Sequence, residues 1–104
     1  MIIQQGDVII ESVDTIPSDA KTGKLKAGNI ILAEGETTGH AHRISDVEGV
    51  VFREKDGMFY LVNKEELTVN HEEHKTVVIP PGIWRVRKVR EYDHFAEEAR
   101  AVAD

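Results

Sequence analysis

GVVFREKDGMFYLV, Gly49–Val62, holds the clearest fold signal in the chain. Two runs rich in β-branched and aromatic residues, Gly49–Arg53 and Met58–Val62, flank a connector that contains Asp56-Gly57. Asp-Gly is a strong tight-hairpin signal, because a type I′ turn needs positive φ at both central residues. An antiparallel hairpin is therefore expected here, and the segments around it can be read against it.

Towards the C-terminus, Glu66–Asn70 alternates, with Leu67 and Val69 on one side and Thr68 and Asn70 on the other. Thr76–Ile79 is a further strand, ended by Pro80-Pro81-Gly82, and Ile83–Arg90 is the last long one. Towards the N-terminus, His40–Ile44, Asn29–Ala33 and Val8–Val13 have strand character, and Thr15–Lys24, with Pro17, Ser18, Asp19 and Gly23, is a loop. After Asp93, a residue suited to a helix N-cap, the period changes. Phe95, Ala99 and Val102 recur at helical spacing, with Glu97 and Glu98 early and Arg100 late, which suits the helix dipole. The expected architecture is all-β, a small barrel or a jelly-roll-like sandwich of roughly seven or eight strands. A short helix over about residues 94–102 completes one compact domain spanning 1–104.

Composition narrows the function classes. A chain of 104 residues favours one domain with a modest core. It has no cysteine, which excludes disulfides, thiolate nucleophiles and cysteine-based zinc sites. The formal charge of −6 argues against a global nucleic-acid binder. No apolar run is long enough to span a membrane, and MIIQQGDVII lacks the basic start of a signal peptide, so the cytoplasm is the expected location. Ser12, Ser18 and Ser45 lack a nucleophile-elbow context, and no phosphate-cradling glycine loop precedes a helix.

The histidines carry the chemistry. Of five, four fall into two tight pairs, His40/His42 in GHAH and His71/His74 in HEEH. On a strand, His40 and His42 share a face and can grip one ion. Positions three apart on a strand point to opposite faces, so His71 and His74 converge only through a turn. The stretch between Glu66–Asn70 and Thr76–Ile79 can supply that turn. The helical H-E-x-x-H spacing of zinc proteases is not met. Together the pairs suggest a site built from His40, His42, His71 and His74, with Glu48, Glu72 or Glu73 as a carboxylate ligand or as an acceptor for an imidazole N–H. The cofactor expected is a transition metal ion; zinc, iron, manganese and nickel are not distinguished by ligand type. The competing reading is that these histidines are a solvated hairpin tip and strand edge.

Gly35–Gly49, GETTGHAHRISDVEG, resembles the first motif of the cupin family, through Gly35, His40, His42, Glu48 and Gly49. The resemblance implies a small jelly-roll barrel with a metal held inside by the H-x-H pair, and activities that range from dioxygenases and isomerases to pure binding proteins. Pro80-Pro81-Gly82 matches the turn of the second cupin motif, but Trp84 and Arg85 stand where a histidine would follow. His71 and His74 precede that turn, so the third ligand stays open. The chain also resembles small uncharacterised bacterial proteins with a GHxHR, HEEH, PPG and REYD pattern, here Gly39–Arg43, His71–His74, Pro80–Gly82 and Arg90–Asp93.

The last strand is basic. Arg85 and Arg87 share a face opposite Trp84 and Val86, with Arg90 beyond them, and a bulge near Arg87 or Lys88 is expected to restore the phase. Such a face could bind a small anion or RNA, or pair across strands with Glu11, Glu65 or Glu66, which needs no ligand. The expected function is a transition-metal-binding small β-barrel protein, acting as a metal-dependent enzyme on a small substrate if the ion is catalytic. The alternatives are a non-enzymatic interaction or assembly module, and local anion or RNA binding by the basic strand. A homo-oligomer is expected, because a small barrel often needs more buried surface than one chain offers.

Overall fold

The computed structural model describes residues 1–35 and 39–89. The described residues form ten strands and no helix. The helix expected over about 94–102, Arg90 and His94 lie outside the described residues. In chain order the strands are β1 Ile2–Gln5, β2 Val8–Ser12, β3 Lys21–Thr22, β4 Ile30–Glu34 and β5 Ala41–Ile44. They continue as β6 Val51–Lys55, β7 Met58–Asn63, β8 Leu67–Val69, β9 Val77–Ile79 and β10 Gly82–Lys88.

One layer is a six-stranded sheet in the order β1-β2-β10-β7-β6-β3. The other consists of the hairpins β4-β5 and β8-β9. These two are stitched by a bridge in which Arg43 and Asn70 exchange both backbone hydrogen bonds at 2.9 Å. The layers do not close into a barrel, so the sandwich alternative describes the fold. No helix among the described residues is long and apolar enough to cross a membrane.

The β6–β7 hairpin follows the expected chemistry. Lys55 pairs with Met58, and the loop residues Asp56 and Gly57 have φ of 50° and 80°, the signs a type I′ turn requires. The β1–β2 hairpin is equally tight. Gln5 pairs with Val8 across Gly6-Asp7, and only Gly6 has positive φ, the pattern of a type II′ turn.

Between the layers lie Val8 and Ile10 of β2, Leu61 of β7, and Trp84 and Val86 of β10. Ile30 and Ile44 of the second layer, with Leu67, Val69 and Ile79, close the core from the other side. Each fully buried aliphatic side chain contributes roughly 1.5–3 kcal/mol relative to exposure, so this core outweighs any surface pair.

The expected bulge in β10 is absent. Its register with β2 is regular from Trp84↔Ser12 to Lys88↔Val8. The strand ends as the phase would fail, leaving Lys88 exposed at its last position. The irregularity falls in β4, where the register shifts between Ile31 and Ala33. That shift turns both Leu32 and Ala33 inward, and Ala33 pairs directly with His42.

Candidate metal centre

Three elements meet at one end of the sandwich: β5, the turn joining β8 to β9, and the β1–β2 turn. On β5, His42 shares its face with Ile44, so alternation carries its ring into the interior, where the residue is only 3 % exposed. The HEEH stretch is the β8–β9 turn. Glu72 fixes it, accepting the Ala41 N–H at Oε1 (2.8 Å) and pairing with Arg43 at Oε2 (2.7 Å). Thr76 Oγ1 donates to Asn70 Oδ1 at 3.0 Å across the same turn. The Ala41 N–H, and then Arg43, hold the Glu72 carboxyl below its ordinary range.

This turn brings His71 and His74 together, with ring centroids 4.6 Å apart, and sets both against His42, at 4.3 Å and 5.7 Å. One nitrogen from each of His42, His71 and His74 lies within 4.8 Å of the others. His40 stands at the margin. Its ring meets His71 edge-on at 5.8 Å, and its Nδ1 is 3.5 Å from Glu73 Oε1. Glu48 lines a separate hollow of about 400 Å³ with Asp46, Asn63 and Lys64, and no described histidine lines it.

The protonation of His42 follows from a residue that sequence reasoning missed. Gln5 is 1 % exposed and shares the inward face of β1 with Ile3. Its Nε2 donates to Val69 O at 2.9 Å and Lys75 O at 2.8 Å. With both amide hydrogens committed to carbonyls, Oε1 is the end that meets His42 Nδ1 at 2.7 Å, and an amide oxygen can only accept. His42 therefore carries its proton on Nδ1 and leaves Nε2 as the nitrogen open to an ion. An imidazole whose far N–H is held by a fixed acceptor is the arrangement that orients metal-binding histidines. Burial, reinforced by His71, pushes the His42 pKa down to about 4 against the opposing pull of Asp7, so the ring is neutral at pH 7.

His71 is held differently. Its Nδ1 accepts the Glu73 N–H at 3.0 Å, which places its own proton on Nε2 when the ring is neutral. Burial, then His74, lower its pKa as well. Coordination through either nitrogen exchanges this bond or moves that proton, at a cost of about 1 kcal/mol for the hydrogen bond. A tetrahedral ion with nitrogens at 2.0–2.1 Å sets its ligand atoms about 3.4 Å apart, so small ring rotations would complete the site.

Two more unforeseen residues border the cluster. Asp7 Oδ1 is 3.6 Å from His42 Nε2. Gly6 leaves room for His74, since a Cβ there would stand 2.5 Å from His74 Nε2. The sequence signal, visible only in retrospect, is the polar Gln4-Gln5-Gly6-Asp7 interruption between two isoleucine-rich runs.

The basic strand is internally paired. Arg85 reaches Glu11 Oε1 through Nε at 2.9 Å and a terminal nitrogen at 2.8 Å, and Arg87 Nε reaches the same oxygen at 3.1 Å. This is the cross-strand pairing with Glu11, set by the register Arg85↔Glu11. A separate cleft of about 530 Å³ opens between the layers, lined by Leu32, Ala33, Phe52, Phe59, Val86 and Lys88 among others, and no described histidine lines it.

No curated protein and no solved structure matches the chain. A family described as a domain of unknown function (DUF8820) matches residues 4–89, which takes in every residue of the site, and the chain belongs to that family.

Proposed function

We propose that this member of the DUF8820 family is a transition-metal-binding protein whose ion is held by His42, His71 and His74. The observation that carries the reading is the Gln5–His42 bond. It sets the proton of the neutral ring on Nδ1 and leaves Nε2 open, in a ring that lies against two further imidazoles. A solvated hairpin tip has no need of a buried glutamine whose oxygen holds this imidazole while its nitrogen ties β1 to the β8–β9 hairpin. The three-imidazole set suits zinc, iron or nickel, and leaves a position open for water or substrate. The cleft between the layers, tied to the site only through Ala33 and Lys88, offers room for a small molecule. Ala33, in its wall, pairs with His42, and Lys88, on its rim, acts electrostatically on the His42 ring and could meet an anionic substrate group.

The test is a titration of metal-free protein with zinc and with cobalt, followed by calorimetry and by the visible bands of cobalt. One ion per chain is expected, with binding lost in His71→Ala and His74→Ala, two turn positions whose loss leaves the core intact. His40→Ala is expected to keep binding. Equal affinity in wild type and both turn variants would overturn the assignment.

A further inference from the structure

Resting on that three-histidine reading, the geometry points to Asp7 as a fourth ligand, which makes the centre a mixed imidazole–carboxylate site closed by the β1–β2 turn. The first ground is a spacing. Gln5 Oε1 occupies the Nδ1 side of the His42 ring, which leaves Nε2 as the nitrogen open to an ion, and 3.6 Å from it stands the Asp7 Oδ1 carboxylate oxygen. The spacing is close to the roughly 3.4 Å expected between two ligand atoms of one ion.

The second ground is the placement of the turn. Gln5-Gly6-Asp7 is seated on the cluster at three consecutive residues. Gln5 bonds His42, Gly6 admits the His74 ring, and Asp7 faces His42 Nε2. The turn is anchored behind, where Val89 N–H donates to Asp7 O at 2.7 Å, so the backbone is fixed while the carboxylate is free to rotate. The Asp7 side chain is 62 % exposed, so it can swing towards His71 and His74 without leaving a buried hole. His40, the other candidate for a fourth ligand, faces Glu73 instead.

A carboxylate adds a hard oxygen donor and a negative charge to three neutral imidazoles. It raises affinity for manganese and iron relative to an all-nitrogen set, and it offsets one of the two charges on the ion. Because Asp7 is on the solvent side, the ion would stay exchangeable.

Asp7→Asn isolates the carboxylate. Asparagine suits the same turn position and keeps the backbone bond to Val89. Metal-free wild type and D7N are titrated with cobalt and manganese, with far-ultraviolet circular dichroism as the check on folding. The expected result is folded D7N whose affinity falls at least tenfold for both ions, with a shifted cobalt visible spectrum. Tight binding by wild type with unchanged affinity and spectrum in D7N would overturn the role of Asp7 and leave the three-histidine reading standing. No binding by wild type would overturn both. Should D7N not fold, Asp7→Glu, which keeps the charge on a longer arm, is expected to bind with an altered cobalt spectrum; an unaltered one would count against direct ligation.

Discussion

Gln4→Leu and Gln5→Leu place the same substitution at neighbouring positions of β1, and the structure assigns them opposite outcomes. Gln5→Leu removes one acceptor and two donors. It orphans the buried His42 Nδ1–H and removes one hydrogen bond each from the Val69 carbonyl, which lies in the β8–β9 ladder, and the Lys75 carbonyl, which is partly open to water. A buried polar group left without a partner costs about 1–3 kcal/mol. The orphaned His42 N–H costs about 2 kcal/mol, the lost bond to Val69 O adds about 1 kcal/mol, Lys75 O can rehydrate, and the sum is about 3 kcal/mol. Gln4 makes a single bond, from Nε2 to Gly6 O at 2.6 Å, and its Oε1 has no partner among the described residues. Replacing it removes a desolvated oxygen, so Gln4→Leu is expected within about 1 kcal/mol of wild type. The gain from burying a leucine enters both variants and largely cancels in their difference. Urea unfolding of the metal-free proteins, compared at equal slope, measures that difference. About 2–4 kcal/mol in favour of Gln4→Leu is expected. A difference below about 1 kcal/mol would refute the account of Gln5 as the group that organises the site. Where Gln5→Leu stays folded, its metal affinity is expected to fall roughly 10–100-fold, the usual effect of losing the group that orients a ligand.

Two further predictions follow from the same geometry. His42 has a folded pKa of about 4 against an ordinary 6.5, so the unfolded chain binds the extra proton between those values and stability falls as pH drops through that window. The loss reaches about 3 kcal/mol in the metal-free protein, and unfolding free energies that stay flat from pH 6.5 to 4.5 would contradict it. Glu72, whose pKa is lowered from 4.5, adds its loss only below that value, which keeps the two contributions apart. Gly6→Ala strains a residue at φ 57° by about 1–2 kcal/mol and drives a methyl into the His74 ring. It is expected to fold and to lose metal affinity at least tenfold; unchanged affinity would show that His74 is not a ligand in this orientation.

The fold was legible where local chemistry dictates local structure. Asp56-Gly57 set a type I′ hairpin, Pro80-Pro81-Gly82 ended one strand before the next, and the alternation of Leu67 and Val69 matched their burial. β1 and β3 were not anticipated. Lys21–Thr22 is a two-residue pairing with β6 inside a turn-rich segment, and no local pattern announces it. β1 carries glutamines at two of its four positions, and its inward glutamine has no reason to be buried until the β8–β9 turn arrives to receive its amide. The bulge foreseen in β10 from a slipped alternation proved to be a strand end, because alternation alone does not say where a ladder stops.

The site was half legible for the same reason. H-x-H on a strand and the need for a turn at HEEH are local arguments, and they pointed to histidines that do meet. Which of them meet was decided by non-local placement. His40 precedes β5 and turns to Glu73, while His42 is carried inward beside Ile44. Glu72 spends its carboxylate on pinning the turn to β5, a task its spacing from the histidines does not reveal. Gln5 and Asp7 sit about seventy residues before the HEEH turn in the chain and join the site only through strand pairing and layer packing.

The most direct test of the central claim is elemental mass spectrometry of the untagged protein, purified without added metal or chelator and measured beside His42→Ala, His71→Ala and His74→Ala. The account predicts a transition metal near one ion per chain in wild type, either as purified or after add-back and desalting, and metal reduced to background in all three variants. Wild-type protein that retains no ion after add-back, or variants that keep it in full, would contradict a metal centre at His42, His71 and His74.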